Sequence, residues 1–197
     1  ILGDFYLSGG HIDVFGPGMG FHEDGAVYEA MSAGNNTFSQ PFQFEFLAGV
    51  GDHLSYGITA KEGDLYVPLF TASQTAAFGG GREGDGTSAR FADGAAFTYE
   101  RYLFVGHGDV GSIVDGYIQA REVPSGEVTG VVLEEGTQLP LSGVDVFVFE
   151  PGESKPWSQW TTDVDPRDDQ ADGSFGGRLP VGTWELMVHK LGRPDSE

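Results

Sequence analysis

"GEVTGVVLEEGTQLPLSGVDVFVFE" occupies residues 126–150 and sets the fold class. Its first part reads as a strand. "GTQLPLSG" is a turn dense in Gly, Pro and Ser, and "VDVFVFE" then alternates apolar and polar side chains with the period of a half-buried strand. The pattern repeats downstream. "PWSQWTTD" is a further strand, and "SFGGRL" and "TWELMVH" complete the series. Five strands in about 70 residues, separated by turn residues, predict a small β-sandwich.

The same reading extends upstream. "GDFYLSGGHIDVFGPGMGF" (3–21) is expected to form a hairpin, with Phe5 and Leu7 on one strand, Ile12 and Val14 on the next, and Ser8-Gly9-Gly10 as the turn. Phe42, Phe44 and Phe46 alternate along one face of another strand. Strands are expected near 54–60 and 65–73, joined by Glu62-Gly63-Asp64, and again over 95–105. "GGGREGDGTSARF" (79–91) has neither the strand–loop–helix setting nor the lysine of a phosphate cradle, and reads as a hairpin connection. One helix is predicted, over 109–122. Asp109 can cap it, Ile113, Val114, Tyr117 and Ile118 form its apolar stripe, and Pro124 with Gly126 ends it. Ile113, Tyr117 and Ile118 are expected to bury against a sheet. The reset of pattern at Pro124–Gly126 marks a domain boundary, giving residues 1–124 and 125–197.

Composition narrows the function classes. The chain has 197 residues, 39% hydrophobic and 13% aromatic, enough for a packed core. With 32 glycines and few lysines it reads as short strands on tight turns. A net charge of -20 argues against nucleic acid, whose polyanionic backbone would be repelled, and against anionic membrane surfaces. It favours cations and cationic partners. Without cysteine there is no disulfide and no thiolate metal site. No apolar run approaches the roughly 18 residues of a membrane span. The start at Ile1 and the lack of a signal peptide suggest a piece of something longer, and an extracellular or periplasmic location is expected.

Residues 126–193 resemble the carboxypeptidase regulatory-like domains, which have a transthyretin-like β-sandwich. The resemblance rests on the Leu139-Pro140-x-x-Gly143-Val144 turn, Thr162-Asp163, Asp172-Gly173-x-Phe175, and Leu179-Pro180-x-Gly182-x-Trp184. Two departures stand out. "VDPRDDQA" is inserted where the family has a few residues, and the family's final strand is lacking, which would leave a sheet edge for a neighbour or further chain to cover. The order of segments, from "HIDVFGPGMGFHEDGAVYEA" through "FLAGVGDHLSYGI" and "VPLFTASQTAAFGGG" to "GHGDVGSIVDGYIQAREVPSGEVTGVV", resembles the region ahead of the catalytic domain in bacterial PHP-type (CehA/McbA-like) metallohydrolases. That resemblance implies a mostly β chain: a β-rich supersandwich-like domain with one helix, then the small transthyretin-like sandwich. The catalytic domain with its His-x-His pair would lie outside this chain. The five histidines here are never closer than eleven positions, so no hydrolase residue carries over.

Among local candidates, Asp163, Asp165, Asp168, Asp169 and Asp172 crowd one loop. Closely spaced carboxylates can hold calcium, but the spacing is not that of an EF-hand, and Pro166 and Arg167 interrupt it. A solvated turn is the simpler expectation, with calcium as the one candidate cofactor. His11, Asp13, His22, Glu23 and Asp24 offer imidazole and carboxylate for zinc, although neighbours on a strand point to opposite faces. His107 and Asp109 could orient a general base, but a helix cap explains Asp109 with fewer assumptions. His53 and Ser55 do not meet the Gly-x-Ser-x-Gly pattern of a nucleophile elbow. Trp157, Trp160 and Trp184, with Phe21 and Tyr28, could stack a sugar. Trp184 fits the core pattern, while the opposite parity of Trp157 and Trp160 predicts that one faces out.

These readings predict a non-catalytic segment that positions or shields a downstream metallohydrolase domain of the same chain, or contacts a carbohydrate or protein surface. An adhesive module self-associating through an open sheet edge is the first alternative. A metal-dependent hydrolase built on His11, His22 and nearby acids is the second.

Overall fold

The computed structural model describes residues 2–8, 12–21, 42–51, 53–71, 75–80, 93–94, 96, 100–164 and 171–189. It is mostly β, with several antiparallel sheets and one helix among the described residues.

Strands β1 (Leu2–Ser8), β4 (Phe42–Phe44), β7 (Leu65–Thr71) and β8 (Thr75–Gly80) form a sheet in the order β1-β8-β7-β4. A second sheet runs β3-β2-β5-β6-β9, from β2 (Asp13–Gly16), β3 (Gly20–Phe21), β5 (Leu47–Val50), β6 (Ser55–Ala60) and β9 (Arg101–Gly106). Helix α1 covers Gly111–Arg121. Beyond it, β10 (Ser125–Val131) pairs with β13 (Ser174–Pro180). Strands β11 (Asp145–Phe149), β12 (Ser158–Thr161) and β14 (Glu185–His189) make a sheet in the order β12-β11-β14. The five strands read from the second segment are all present.

The first segment departs from its local reading. The expected hairpin over 3–21 does not form, because β1 pairs with β8 and β2 pairs with β3 and β5, in different sheets. Alternation marks a strand but does not name its partner. The Phe42–Phe46 run is likewise divided. Phe44 and Phe46 are buried between exposed Gln43 and Glu45, so the alternation holds, yet the chain passes from one sheet to the other between β4 and β5. The strand expected over 95–105 is Arg101–Gly106, and β8 follows β7 as a separate strand. The glycine-rich stretch past Gly80, through residue 91, lies outside the described residues.

Helix α1 forms for the reasons its sequence supplies. Val110 already has helical angles (φ -76, ψ -34), which makes Asp109 the effective cap, its Oδ1 accepting the Ser112 N–H at 2.9 Å. At the other end Glu122 turns left-handed (φ 53, ψ 38), and the Val123 N–H closes back on the Ile118 carbonyl at 3.0 Å. This is a Schellman-type ending, and Pro124 prevents continuation. Ile113, Val114, Tyr117 and Ile118 are buried as expected.

The helix packs against β6 and β9 on one side and β12 and β13 on the other. Two glycines permit the approach. A Cβ on Gly57 of β6 would sit 2.1 Å from Ile113 Cγ2, and one on Gly111 would sit 2.0 Å from Trp160 Cδ1. The buried apolar cluster therefore takes members from both sides of Pro124: Phe15, Phe46 and Ile113 with Val146, Trp157 and Trp160.

The tryptophans correct one expectation. Trp157 and Trp160 are 6% and 1% exposed, so neither faces out. Trp157 lies one residue before β12 and Trp160 within it, and each is covered by a different set of neighbours. Trp157 packs on Phe46, and Trp160 on Phe175 and the helix. Trp184 is half-buried against Trp157, with ring centroids 4.9 Å apart.

Candidate functional site

The residues that suggested chemistry gather where α1 meets β6, β11 and β12. Asp109 is 5% exposed. Besides the Ser112 N–H it accepts a main-chain hydrogen bond from Thr161. Burial pushes its carboxyl above the ordinary aspartate range, against the opposing pull of these donors and of His107. The Ser112 hydroxyl lies 3.1 Å from Ser55 Oγ and accepts the His107 N–H at 3.1 Å. Ser55 Oγ in turn accepts the Gly108 N–H at 3.3 Å.

The network continues across the strands. Gln159 is buried. Its Oε1 accepts the Val110 N–H at 3.3 Å, while its Nε2 donates to Asp145 Oδ1 and Thr161 Oγ1, both at 2.7 Å. Thr161 Oγ1 donates to Asp145 Oδ1 at 3.0 Å. Polar groups from residue 55 to residue 161 thus hold one another. Ser55 lies within β6, fully buried, and not on the sharp exposed turn a nucleophile needs. Asp109 caps the helix through the Ser112 amide.

Beside the network lies a cleft of about 760 Å³, lined by Asp109, Asp115, Glu127, Asp163 and the backbone of β13 among others. Asp115 Oδ1 accepts the Arg178 N–H at 2.7 Å, pinning the helix to β13. Burial again raises its carboxyl, assisted by the charges of Asp109 and Glu127.

Asp163 closes the aspartate loop at its base. It adopts φ 58, a left-handed conformation that aspartate tolerates better than most residues. Its Oδ2 accepts the Gly173 N–H at 3.0 Å and the Ser142 hydroxyl, and its Oδ1 accepts the Ser174 N–H at 3.1 Å. Asp172 Oδ1 shares that Ser174 N–H at 3.0 Å. Asp163 and Asp172 therefore meet at one amide, whereas Asp165, Asp168 and Asp169 lie outside the described residues. His11, His22, Glu23, Asp24 and Tyr28 lie outside them as well. Among the described residues no three side chains of metal-ligating type form a group.

A second cluster had no local signal. Glu45 Oε2 accepts the Trp157 indole N–H at 3.2 Å across 112 positions of sequence, and the Tyr117 hydroxyl bonds the same carboxylate. Glu45 is exposed as a residue, but its carboxyl end tucks beside Trp157 and Tyr117, and this local desolvation raises the carboxyl despite the indole bond; burial together with Glu45 holds the Tyr117 phenol up at about 12. Glu45, Glu150, Glu153 and Lys155 line a smaller cleft of about 220 Å³. Of the aromatic residues grouped for sugar stacking, Phe21 packs on Phe15 and Phe147, Trp157 and Trp160 are buried, Trp184 is half-buried against Trp157, and Tyr28 lies outside the described residues.

No helix is long and apolar enough to cross a membrane among the described residues. No family model matches the chain, and neither does any curated protein or solved structure.

Proposed function

We propose that this chain is a non-catalytic structural segment of a secreted or periplasmic bacterial protein, a body that positions a downstream metallohydrolase domain or presents a surface to a ligand. On this proposal residues 1–124 and 125–197 are two units of one platform, and the aspartate loop is a solvated turn with calcium as its one candidate ion. The supporting observation is the network that runs from Ser55 and Ser112 to Asp109 and crosses Pro124 where Gln159 accepts the Val110 N–H and Asp109 accepts the Thr161 N–H. It commits catalytic-type side chains to holding the two segments together. A fixed relation between segments is what a positioning module needs, because a freely hinged spacer would lose most of the gain in effective concentration.

The test has two arms. The chain, purified without chelator, is assayed for phosphomonoester and phosphodiester hydrolysis with added zinc, manganese or calcium. No turnover above buffer is expected, and metal-dependent turnover lost in Asp109→Asn would overturn the proposal. The complete reading frame is then expressed with and without Gly111→Leu. A change in downstream hydrolase KM in that variant is expected, and an unchanged KM in a folded protein would remove the positioning role.

A further inference from the structure

Strand β14 is the outer strand of its sheet, with β11 on one side and no described strand on the other. All five of its residues are exposed, including three consecutive apolar ones: Leu186 at 48%, Met187 at 57% and Val188 at 53%. The strand carries no proline, bulge or lysine, the usual protections of an edge.

Its faces follow from the register. Leu186 stands opposite Val148 and Val188 opposite Val146, so both lie on the face that β11 turns to the core. Glu185, Met187 and His189 stand opposite Phe149, Phe147 and Asp145, on the outer face. Its main-chain directions follow from the neighbouring ladder. The Val148 carbonyl accepts from Trp157, and the Val144 carbonyl from Thr162, so the even residues of β11 direct their peptide groups toward β12. The odd residues therefore direct theirs toward β14, where they meet residues 185, 187 and 189. That leaves the N–H and C=O of Leu186 and Val188 pointing outward.

We propose that this edge pairs with the β14 edge of a second copy of the chain, antiparallel and centred on Met187. In that register Leu186 faces Val188 of the second copy, and both carry outward peptide groups, so four main-chain hydrogen bonds form about the two-fold axis. Apolar Leu186–Val188 pairs continue the core face. On the outer face each Glu185 carboxylate meets a His189 imidazole, and the two Met187 side chains meet on the axis. The strand "ELMVH" complements itself in backbone, apolar face and polar ends together. Each copy carries a net charge of -20, so association is expected to strengthen with salt. This inference does not depend on the positioning role proposed above.

The test is light scattering on the eluting protein across micromolar to millimolar concentrations, in low salt and in 1 M salt, where the screening length falls to about 3 Å. The expected species is twice the 21.0 kDa chain, favoured at high salt. Val188→Pro removes one outward N–H per copy without touching the ladder to β11. It should weaken the dimer at least about tenfold, with far-UV circular dichroism unchanged. Met187→Lys places a charge against its own copy and should also weaken the dimer, although it lowers the net negative charge. Mixing Met187→Lys with Met187→Glu protein should restore pairing. A chain that stays monomeric throughout, for instance because another segment covers the edge, overturns the proposal. So does a dimer indifferent to Met187→Lys, or growth into open-ended assemblies, since a two-fold pairing closes.

Discussion

Replacing Gly111 with alanine tests whether α1 and β12 press together as described. At an ordinary helix position this exchange is favourable by roughly 1 kcal/mol, because glycine loses more backbone freedom on folding. Here the new Cβ would lie 2.0 Å from Trp160 Cδ1 and 2.2 Å from its Nε1. The indole is 1% exposed and wedged between the helix, Phe175 and Gly177, so it has no free space to enter. Overpacking of a filled site costs about 1–3 kcal/mol, and two contacts this short belong at the upper end. Set against the helix gain, the net loss is about 2 kcal/mol. For a chain of this size that lowers Tm by roughly 4–8 °C. Urea unfolding should show a lower midpoint at unchanged slope. Trp160→Phe supplies the second corner of a double-mutant cycle. The Trp160 indole N–H has no hydrogen-bond partner among the described residues, so phenylalanine sacrifices no bond seen there and makes room. The cost of Gly111→Ala should shrink by 1 kcal/mol or more, by order of magnitude, in the Trp160→Phe background. A Gly111→Ala protein more stable than wild type, or a cycle with no coupling, would refute the description of this junction.

Three further outcomes follow from the polar groups. Burial raises the Asp109 carboxyl above the ordinary aspartate value of 3.8, so its contribution to stability is fully present below that value and is lost as pH rises through its folded-state value. Asp109→Asn should therefore flatten the stability profile above pH 3.8 as followed by thermal melts, and a profile identical to wild type would show that the group is not desolvated. Asp163→Ala removes the acceptor of the Gly173 amide and the Ser142 hydroxyl, while Asp172 still holds the Ser174 amide, and should cost about 1–3 kcal/mol in urea titrations. If calcium occupies the loop, saturation at about 100 times Kd would stabilise the wild type by roughly 2.7 kcal/mol and this variant far less, so an unchanged wild-type melt removes calcium from the reading. Finally, with a net charge of -20 the folded chain repels itself, and raising sodium chloride from low to molar concentration should raise Tm. A fall in Tm would show that attractive ion pairs dominate instead.

Several features were legible along the chain because they are local. The Asp109 cap, the apolar stripe from Ile113 to Ile118 and the Pro124 stop are all set within a few residues of one another, and hydrogen-bond geometry acts at that range. The alternation of "VDVFVFE" likewise places Val146 and Val148 inside and identifies β11. Asp172-Gly173 marks a turn for a similar reason: the Asp172 side chain reaches the Ser174 amide two residues on.

What remained hidden depends on which distant segments meet. The two β1 and β2 runs read as a hairpin, yet their partners are β8 and β5, since an alternating strand fits any sheet edge of matching polarity. The inner position of both Trp157 and Trp160 required cover from distant segments, Phe46 for one and Phe175 with the helix for the other, which parity along the chain cannot express. Glu45 gained its indole partner, and Ser55 its serine partner, only when residues far apart in sequence were brought within about 3 Å. The amino-acid order by itself determined that strands dominate, where the helix lies and which faces of α1 and β11 are apolar. Tertiary structure alone decided which faces touch, and so whether an aspartate or serine is free to react or held in the frame, because burial and hydrogen bonding are properties of the meeting surfaces.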